Sequence, residues 1–513
     1  MKTALFIQLE RLGDLVQTTP LLREFRRANP HHEIHLLLLE ENREVLQGFE
    51  AVDQYHYVAQ RVVAKLNQAI NNRRDEEQPD ARSFLVELGL PSLDCLINLT
   101  HGAFGCWLAG QLSAHYLEGG VITAEGNWFW QGAWHAYLLA MPDFRQHNLF
   151  NIVDLYRGSG PAGPVASSSR PYAYRSKKLP FEVPQGKLVA LNPGASKPSR
   201  RWPSQAYAEL AKRLWELEFS PILVGAPSDM EICNEVATHL DMPIKNFCGQ
   251  TSIPDMTALL DRCELLVSND TGAIHLGSAV NTPCVGLYGA TAWFSETAPW
   301  GEGHIVVQAP MDASMESITL ETVLTHVRRV LGIPALASAG AEDVWRTRLC
   351  SQDALGGLSY ELLQGRGAEH LHFTLHYREA FSQILMSNKV MEIQQPSCRV
   401  EADCLAASKA LREMAIIAAQ ALNLLRPEQA HAPEEVEVLC TGFEEALETV
   451  TESAERLPHL APPLYWLKWV LRTAPSFSLE AQLTLRVKEC RRAADILECA
   501  AHLHQTAMKE REN

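Results

Sequence analysis

The sequence predicts an α/β protein made of two consecutive doubly wound domains, each on a parallel sheet, followed by an all-α extension. Three observations predict it. Short apolar runs alternate with stretches of helical spacing from Thr3 to about Pro334, a Gly-, Pro- and Ser-rich stretch interrupts them, and beyond Pro334 only helical periodicity is read. The division that follows is 1–160 and 187–334 for the α/β domains, 161–186 for a linker and 335–513 for the helical extension. A chain of 513 residues suits about three domains of ordinary size.

Taken in order, the run Thr3 to Leu9 gives a first strand and stops at Glu10-Arg11-Leu12-Gly13-Asp14, where a helix begins. Gly13 supplies the tight turn. Asp14 fits two roles, a cap for that helix or an acid at the carboxyl end of the strand, within reach of a substrate hydroxyl. Pro20 either opens the helix or kinks it. A second strand, Glu33 to Glu40, and a central one, Asp94 to Thr100, continue the alternation, and the latter ends at His101, a weaker candidate for substrate contact. Trp128, Phe129, Trp130, Trp134 and Tyr137 form an aromatic group, either core at helical spacing or a stacking surface for sugar.

Composition narrows the function. A formal charge of −16 argues against binding a nucleic-acid backbone over a broad face, so any polyanion site must be local. No stretch approaches the roughly 18 apolar residues of a membrane span, and the amino terminus reads as a strand rather than a signal peptide, so membrane contact would be at most peripheral. The twelve cysteines contain no CxxC pair and several lie in apolar runs, as reduced core thiols do, which makes the expected compartment the cytoplasm. His31, His32 and His35 lack a carboxylate or cysteine at fixed spacing, so no metal is expected there.

After the linker, Leu188 to Leu191 form a strand, followed by Asn192-Pro193-Gly194-Ala195-Ser196 and the cations Lys197, Arg200 and Arg201. In an acidic chain, such a loop between strand and helix fits a phosphate clamp or a solvated basic turn. Gly225 closes the next strand, with Asp229 and Glu231 in the following first turn, where an acid can accept from a ribose or complement the helix dipole. The stretch Cys263 to Thr291 reads strand, polar loop, helix, strand. Its loop, Ser268-Asn269-Asp270-Thr271-Gly272, sits at a helix amino terminus, which suits a diphosphate, although Asp270 and Thr271 also fit plain helix capping.

Four segments in order, GDLVQTTPLLREFR, LNPGASKPSRRWP, ILVGAPSD and SNDTGAIHLGSAVNTPCVGLYGAT, resemble the bacterial heptosyltransferases of glycosyltransferase family nine. The resemblance runs from Met1 to Gly332, roughly two thirds of the chain. It implies a GT-B type fold, two facing Rossmann-like domains, here with the C-terminal all-α domain added. It also implies inverting transfer of a sugar, typically heptose from an ADP-activated donor, without metal or other cofactor, to lipopolysaccharide core or in some relatives to protein. By this resemblance Asp14 is the general base; Gly13, Thr18 and His101 are expected on the acceptor side. Ser196, Lys197, Arg200, Asp270, Thr271, Gly272 and His275 face the donor, with an arginine at 200 where the family usually has lysine. The acidic donor position matches Asp229 or Glu231, and the choice stays open. A GT-B nucleotide-sugar epimerase and a non-catalytic nucleotide-sugar-binding scaffold are the rival readings. The helical extension, which the resemblance does not cover, would serve acceptor docking, oligomerisation or a partner.

Overall fold

The computed structural model describes residues 2–71, 88–90 and 92–365, apart from 124–125, 127, 144, 146–147, 149, 161–168, 290, 311–312, 336–339 and 350–356, together with Cys490. The elements begin with β1 (Lys2–Gln8), α1 (Leu12–Ala28), β2 (His32–Leu39), β3 (Gln54–Val58) and α2 (Gln60–Asn71). Next come β4 (Leu93–Asn98), α3 (Ala103–Gln111), β5 (Ala114–Ile122), β6 (Trp128–Gln131), α4 (Ala133–Ala140) and α5 (Ile152–Gly158). The run continues with β7 (Lys187–Asn192), α6 (Ser204–Glu216), β8 (Phe219–Leu223), α7 (Met230–Thr238), β9 (Lys245–Asn246), α8 (Ile253–Leu260) and β10 (Cys263–Asn269). It closes with α9 (Gly272–Ala279), β11 (Cys284–Tyr288), α10 (Phe294–Thr297), β12 (Ile305–Gln308), α11 (Leu320–Val330), β13 (Asp343–Leu349) and β14 (Leu358–Gln364). The α/β expectation is met.

Two compact units partition the chain. The first comprises 1–64, 150–157 and 164–368. In it β1 pairs in parallel with β2, and β2 with β3. A second sheet runs β14-β13-β12-β11-β10-β7-β8-β9. Its strands from β7 to β12 pair in parallel and read as near-continuous apolar runs because both faces are covered. Val189, Leu191, Leu265, Val267, Val285 and Leu287 are fully buried, together with Trp202 and Tyr207. Each such aliphatic side chain contributes roughly 1.5–3 kcal/mol of burial, which fixes the strand ends from which the functional loops leave.

Pro20 lies inside α1 rather than at its start. It cannot donate to the carbonyl of Val16, and the hydroxyl of Thr19 takes that acceptor instead, at 2.6 Å. The segment read as a linker has neither helix nor strand in its described part, 169–186, yet it is fastened to the first unit. Tyr172 N donates to Thr19 Oγ1 at 2.7 Å, Tyr174 N to the Val45 carbonyl at 2.7 Å and Ser176 N to the Pro254 carbonyl at 3.0 Å.

The reading that strands stop at Pro334 is corrected by β13 and β14. They pair with each other antiparallel and extend the sheet at β12. The antiparallel edge carries arginines at 346 and 348 between buried Val344, Trp345 and Thr347, and this mixed pattern hid it from a search for apolar runs. Trp345 stacks on Phe294 with ring centroids 5.5 Å apart. The expected helices from 366 onward lie outside the described residues, except at Cys490.

The second unit comprises 65–149, 158–163 and 369–513. There β4 and β5 run parallel and β6 is antiparallel to β5. Trp128 to Trp130 are strand, not helix, with Trp128 exposed, whereas Trp134 and Tyr137 on α4 are buried core. Glu118 of β5 is buried, accepts from Tyr116 Oη at 2.6 Å and from Gly160 N at 2.7 Å, and is pushed up to about 6 by burial.

Candidate active site

The loop after β10 is held in place by buried amides. Asn269 donates from Nδ2 to the carbonyls of Pro193 and Gly194, at 2.9 and 3.1 Å, and accepts from Trp202 N at 3.1 Å. One side chain therefore ties the carboxyl ends of β7 and β10 together. Thr271 occupies the N-cap of α9 but makes no side-chain cap. Its hydroxyl instead accepts from Asn192 Nδ2 at 2.8 Å and lies 3.2 Å from the hydroxyl of Ser268. Capping by the Thr271 side chain is thus ruled out, and the first turn of α9 keeps the character of an anion-binding helix end.

Arg200 and Asp270 face each other at the rim of this loop, N to O 3.3 Å. The guanidinium also donates to the Thr291 carbonyl at 2.8 Å, and Asp270 Oδ1 accepts from the Thr297 hydroxyl at 2.8 Å. An arginine placed by a carboxylate and a carbonyl is pre-oriented, and its remaining donors suit a phosphate. Ser196 and Lys197 are exposed on the loop after β7.

Asp14 comes to the same place from α1. Its Oδ2 accepts from Arg11 N at 3.2 Å, so it does cap the helix, and its Oδ1 lies 3.4 Å from the hydroxyl of Tyr156. Both roles read from the sequence are compatible, because each uses a different oxygen. Burial, reinforced by the nearby charge of Glu10, pushes the carboxyl up to about 7, against the hydrogen bonds from Arg11 and Tyr156. The starts of α1 and α9 meet here. A β-carbon on Gly13 would fall 2.7 Å from His275 Cδ2, and one on Gly272 would fall 3.3 Å from Leu12 Cδ2. His275 is buried, which pushes its imidazole down to about 4 and keeps it neutral.

Asp229 and Glu231, between which the acidic donor position was left open, differ in placement. A β-carbon on Gly194 would fall 2.2 Å from Asp229 Cγ, so this carboxylate sits against the carboxyl end of β7, anchored by a bond from Ala226 N at 3.0 Å. Glu231 is exposed on the first turn of α7. Thr18 is fully buried; its hydroxyl donates to the Asp14 carbonyl and accepts from Gln8 Nε2, both at 2.8 Å. The enclosed hydroxyl braces the first turn of α1. His101 follows β4 in the second unit, where its charge and, above all, burial hold His135 down to about 3. Of the early histidines, His35 pairs its ring nitrogen with that of His56 at 2.9 Å, a strand-to-strand contact. Tyr156, Asn192 and Thr297 were not singled out in the sequence. Tyr156 stands shortly before the stretch read as a linker, and only the fold brings it to Asp14.

Residues 145–326, which include Arg200, Asp270, His275 and Thr297, match the family model of glycosyltransferase family 9 (heptosyltransferase). Over this span the chain is similar to glycosyltransferase family 9. Among similar proteins, lipopolysaccharide heptosyltransferase 2 of Escherichia coli (strain K12) is 32% identical over 133 residues, 25% of this chain and 37% of that one. Lipopolysaccharide heptosyltransferase 3 of Escherichia coli is 22% identical over 291 residues, 54% of this chain and 81% of that one. A glycosyl transferase family 9 structure from Veillonella parvula DSM 2008 aligns with a TM-score of 0.49 and 20% identity, covering 64% of this chain and 97% of that one. The chain spans little more than a third of the length of the first of these relatives.

Proposed function

We propose that the chain is an inverting, metal-independent glycosyltransferase. It moves heptose from an ADP-activated donor to a hydroxyl of a lipopolysaccharide-core or protein acceptor. The observation that carries this reading is the meeting of two helix starts, α1 with its carboxylate Asp14 and α9 with its uncapped N–H groups beside Arg200. A base and an anion site side by side are what displacement of a nucleoside diphosphate requires. The family match supplies the reaction class, and the names of the Escherichia coli relatives supply the sugar and the acceptor class.

In the proposed reaction the acceptor oxygen forms a bond to the anomeric carbon while the bond from that carbon to the diphosphate oxygen breaks. The hydroxyl proton passes to Asp14, which at about 7 is matched to neutral pH. Charge on the departing diphosphate meets the N–H groups of Gly272 and Ala273, with Arg200 and Lys197 at the rim. Neutral His275 fills the space beside Gly13 without adding a further positive charge. Asp229, on the edge of the same loops, is placed to accept from a ribose hydroxyl. The reaction needs no further cofactor, and no helix among the described residues is long and apolar enough to cross a membrane.

Thermal stabilisation by a panel of nucleotide sugars, in the presence of EDTA and then of Mg²⁺, tests the donor assignment. Selective stabilisation by an ADP-sugar without metal is expected, and no response to any member of the panel would refute it. Conversion of the nucleotide sugar with no acceptor present would instead mark an epimerase.

A further inference from the structure

A cavity of about 410 Å³ opens in the first unit near the amino ends of β11 and β12, bounded by Pro283 and Ile305. The donor loop leaves the carboxyl end of the sheet, so this cavity is on the opposite edge, with α9 spanning about 12 Å between the two. Arg170, Arg329 and Arg346 converge on it, and Trp300 and Val330 give it an apolar wall. Its volume is in the range of sites that hold small organic molecules.

Among the described residues, the charges of the three arginines are poorly matched. Arg170 donates to the neutral amide of Asn281. Arg329 lies 3.3 Å from the ring nitrogen of His326, and burial pushes that imidazole down to about 4. Arg346 pairs with Glu361 at 3.3 Å, but the same carboxylate oxygen is taken by Arg348 at 2.7 Å. Among the described residues one carboxylate, Glu302, lines the cavity, and it is tied to Arg348 at 3.2 Å. Three guanidiniums around one cavity, in a chain of formal charge −16, repel one another unless an anion joins them. Guanidinium forks match the oxygens of a phosphate, and the apolar wall suits the ring or carbon skeleton that carries it.

We infer that this cavity binds a small soluble phosphomonoester of sugar-like size, at a site separate from the donor loop. The inference stands apart from the proposed transferase activity, because none of its residues belongs to the donor loop or to α1.

The test is calorimetric titration of the full chain, saturated with ADP to occupy the donor loop, with a hexose 6-phosphate, the free hexose and inorganic phosphate. One saturable event with the hexose phosphate and none with the hexose is expected, and competition by inorganic phosphate would support it further. Arg170→Gln and Arg329→Gln should each weaken binding by about tenfold or more, the worth of one charge-assisted contact, with the melting temperature and ADP affinity unchanged. Two variants guard against either one failing to fold. No saturable binding, equal binding of the free hexose, loss of binding when ADP is added, or unchanged affinity in both folded variants would each overturn the inference. If ADP itself does not bind, the donor assignment fails, and the same titration without ADP still decides the cavity.

Discussion

The imidazole of His275 lies where a side chain at residue 13 would have to go: a β-carbon on Gly13 would sit 2.7 Å from His275 Cδ2. Glycine at 13 therefore lets α1 bring Asp14 to the start of α9. Gly13→Ala should force the buried ring or the helix start to shift, costing roughly 1–3 kcal/mol as overpacking does, and should lower turnover through misplacement of Asp14. Pairing it with His275→Ala should recover part of the stability lost. Melting curves of the two single variants and the double variant measure this, and strict additivity would show that the two residues do not meet.

Tyr156 offers a separate handle on the carboxylate. Its hydroxyl lies 3.4 Å from Asp14 Oδ1 and favours the ionised form. Activity that needs ionised Asp14 should rise with pH up to a limb near 7, and Tyr156→Phe should move that limb to higher pH. The pH profile of kcat/KM reads this shift in the free enzyme.

The same group leaves a mark on stability. Folding raises the Asp14 pKa from 3.8 to about 7, so the folded state holds its proton more firmly than the unfolded one. Below 3.8 both states are protonated and nothing is lost. Between 3.8 and about 7 the unfolded state ionises first, so stability should fall as pH rises through this window and then level off. Asp14→Asn removes this component, and denaturant midpoints from pH 4 to pH 8 should fall less in the variant than in the natural protein.

Arg200 is held by Asp270 at 3.3 Å and by the Thr291 carbonyl at 2.8 Å, at the rim of the anion site. Arg200→Ala should weaken ADP binding by about tenfold or more, and Arg200→Lys should restore only part, because an ammonium lacks the fork. Calorimetric ADP affinities measure both. Equal affinity in all three proteins would place the diphosphate elsewhere.

Much of the site was legible because its residues stand at the ends of apolar runs. Asp14, Asp270 and His275 are each fixed by a strand-to-helix transition, and the hydrophobic period marks such transitions. Contacts made across long stretches of sequence were not legible. The approach of Gly13 to His275, the hydroxyl of Tyr156 on Asp14 and the placement of Asp229 against Gly194 all depend on how separate βα units pack. The bond from Thr18 back to the Asp14 carbonyl follows from their spacing, that of a side chain returning to the backbone one turn earlier. At β13 and β14 the arginine-rich alternation of an antiparallel edge stood beyond a proline where parallel strands had ended, and neither cue pointed to a sheet.

The most direct measurement compares the natural protein with Asp14→Asn for ADP affinity and for acceptor-dependent release of ADP from ADP-heptose, with EDTA present. The predicted result is ADP affinity unchanged within about threefold and turnover lower by about 10²- to 10⁴-fold, the worth of a positioned base. Near-normal turnover in Asp14→Asn would contradict the central claim that the carboxylate at the start of α1 takes the acceptor proton.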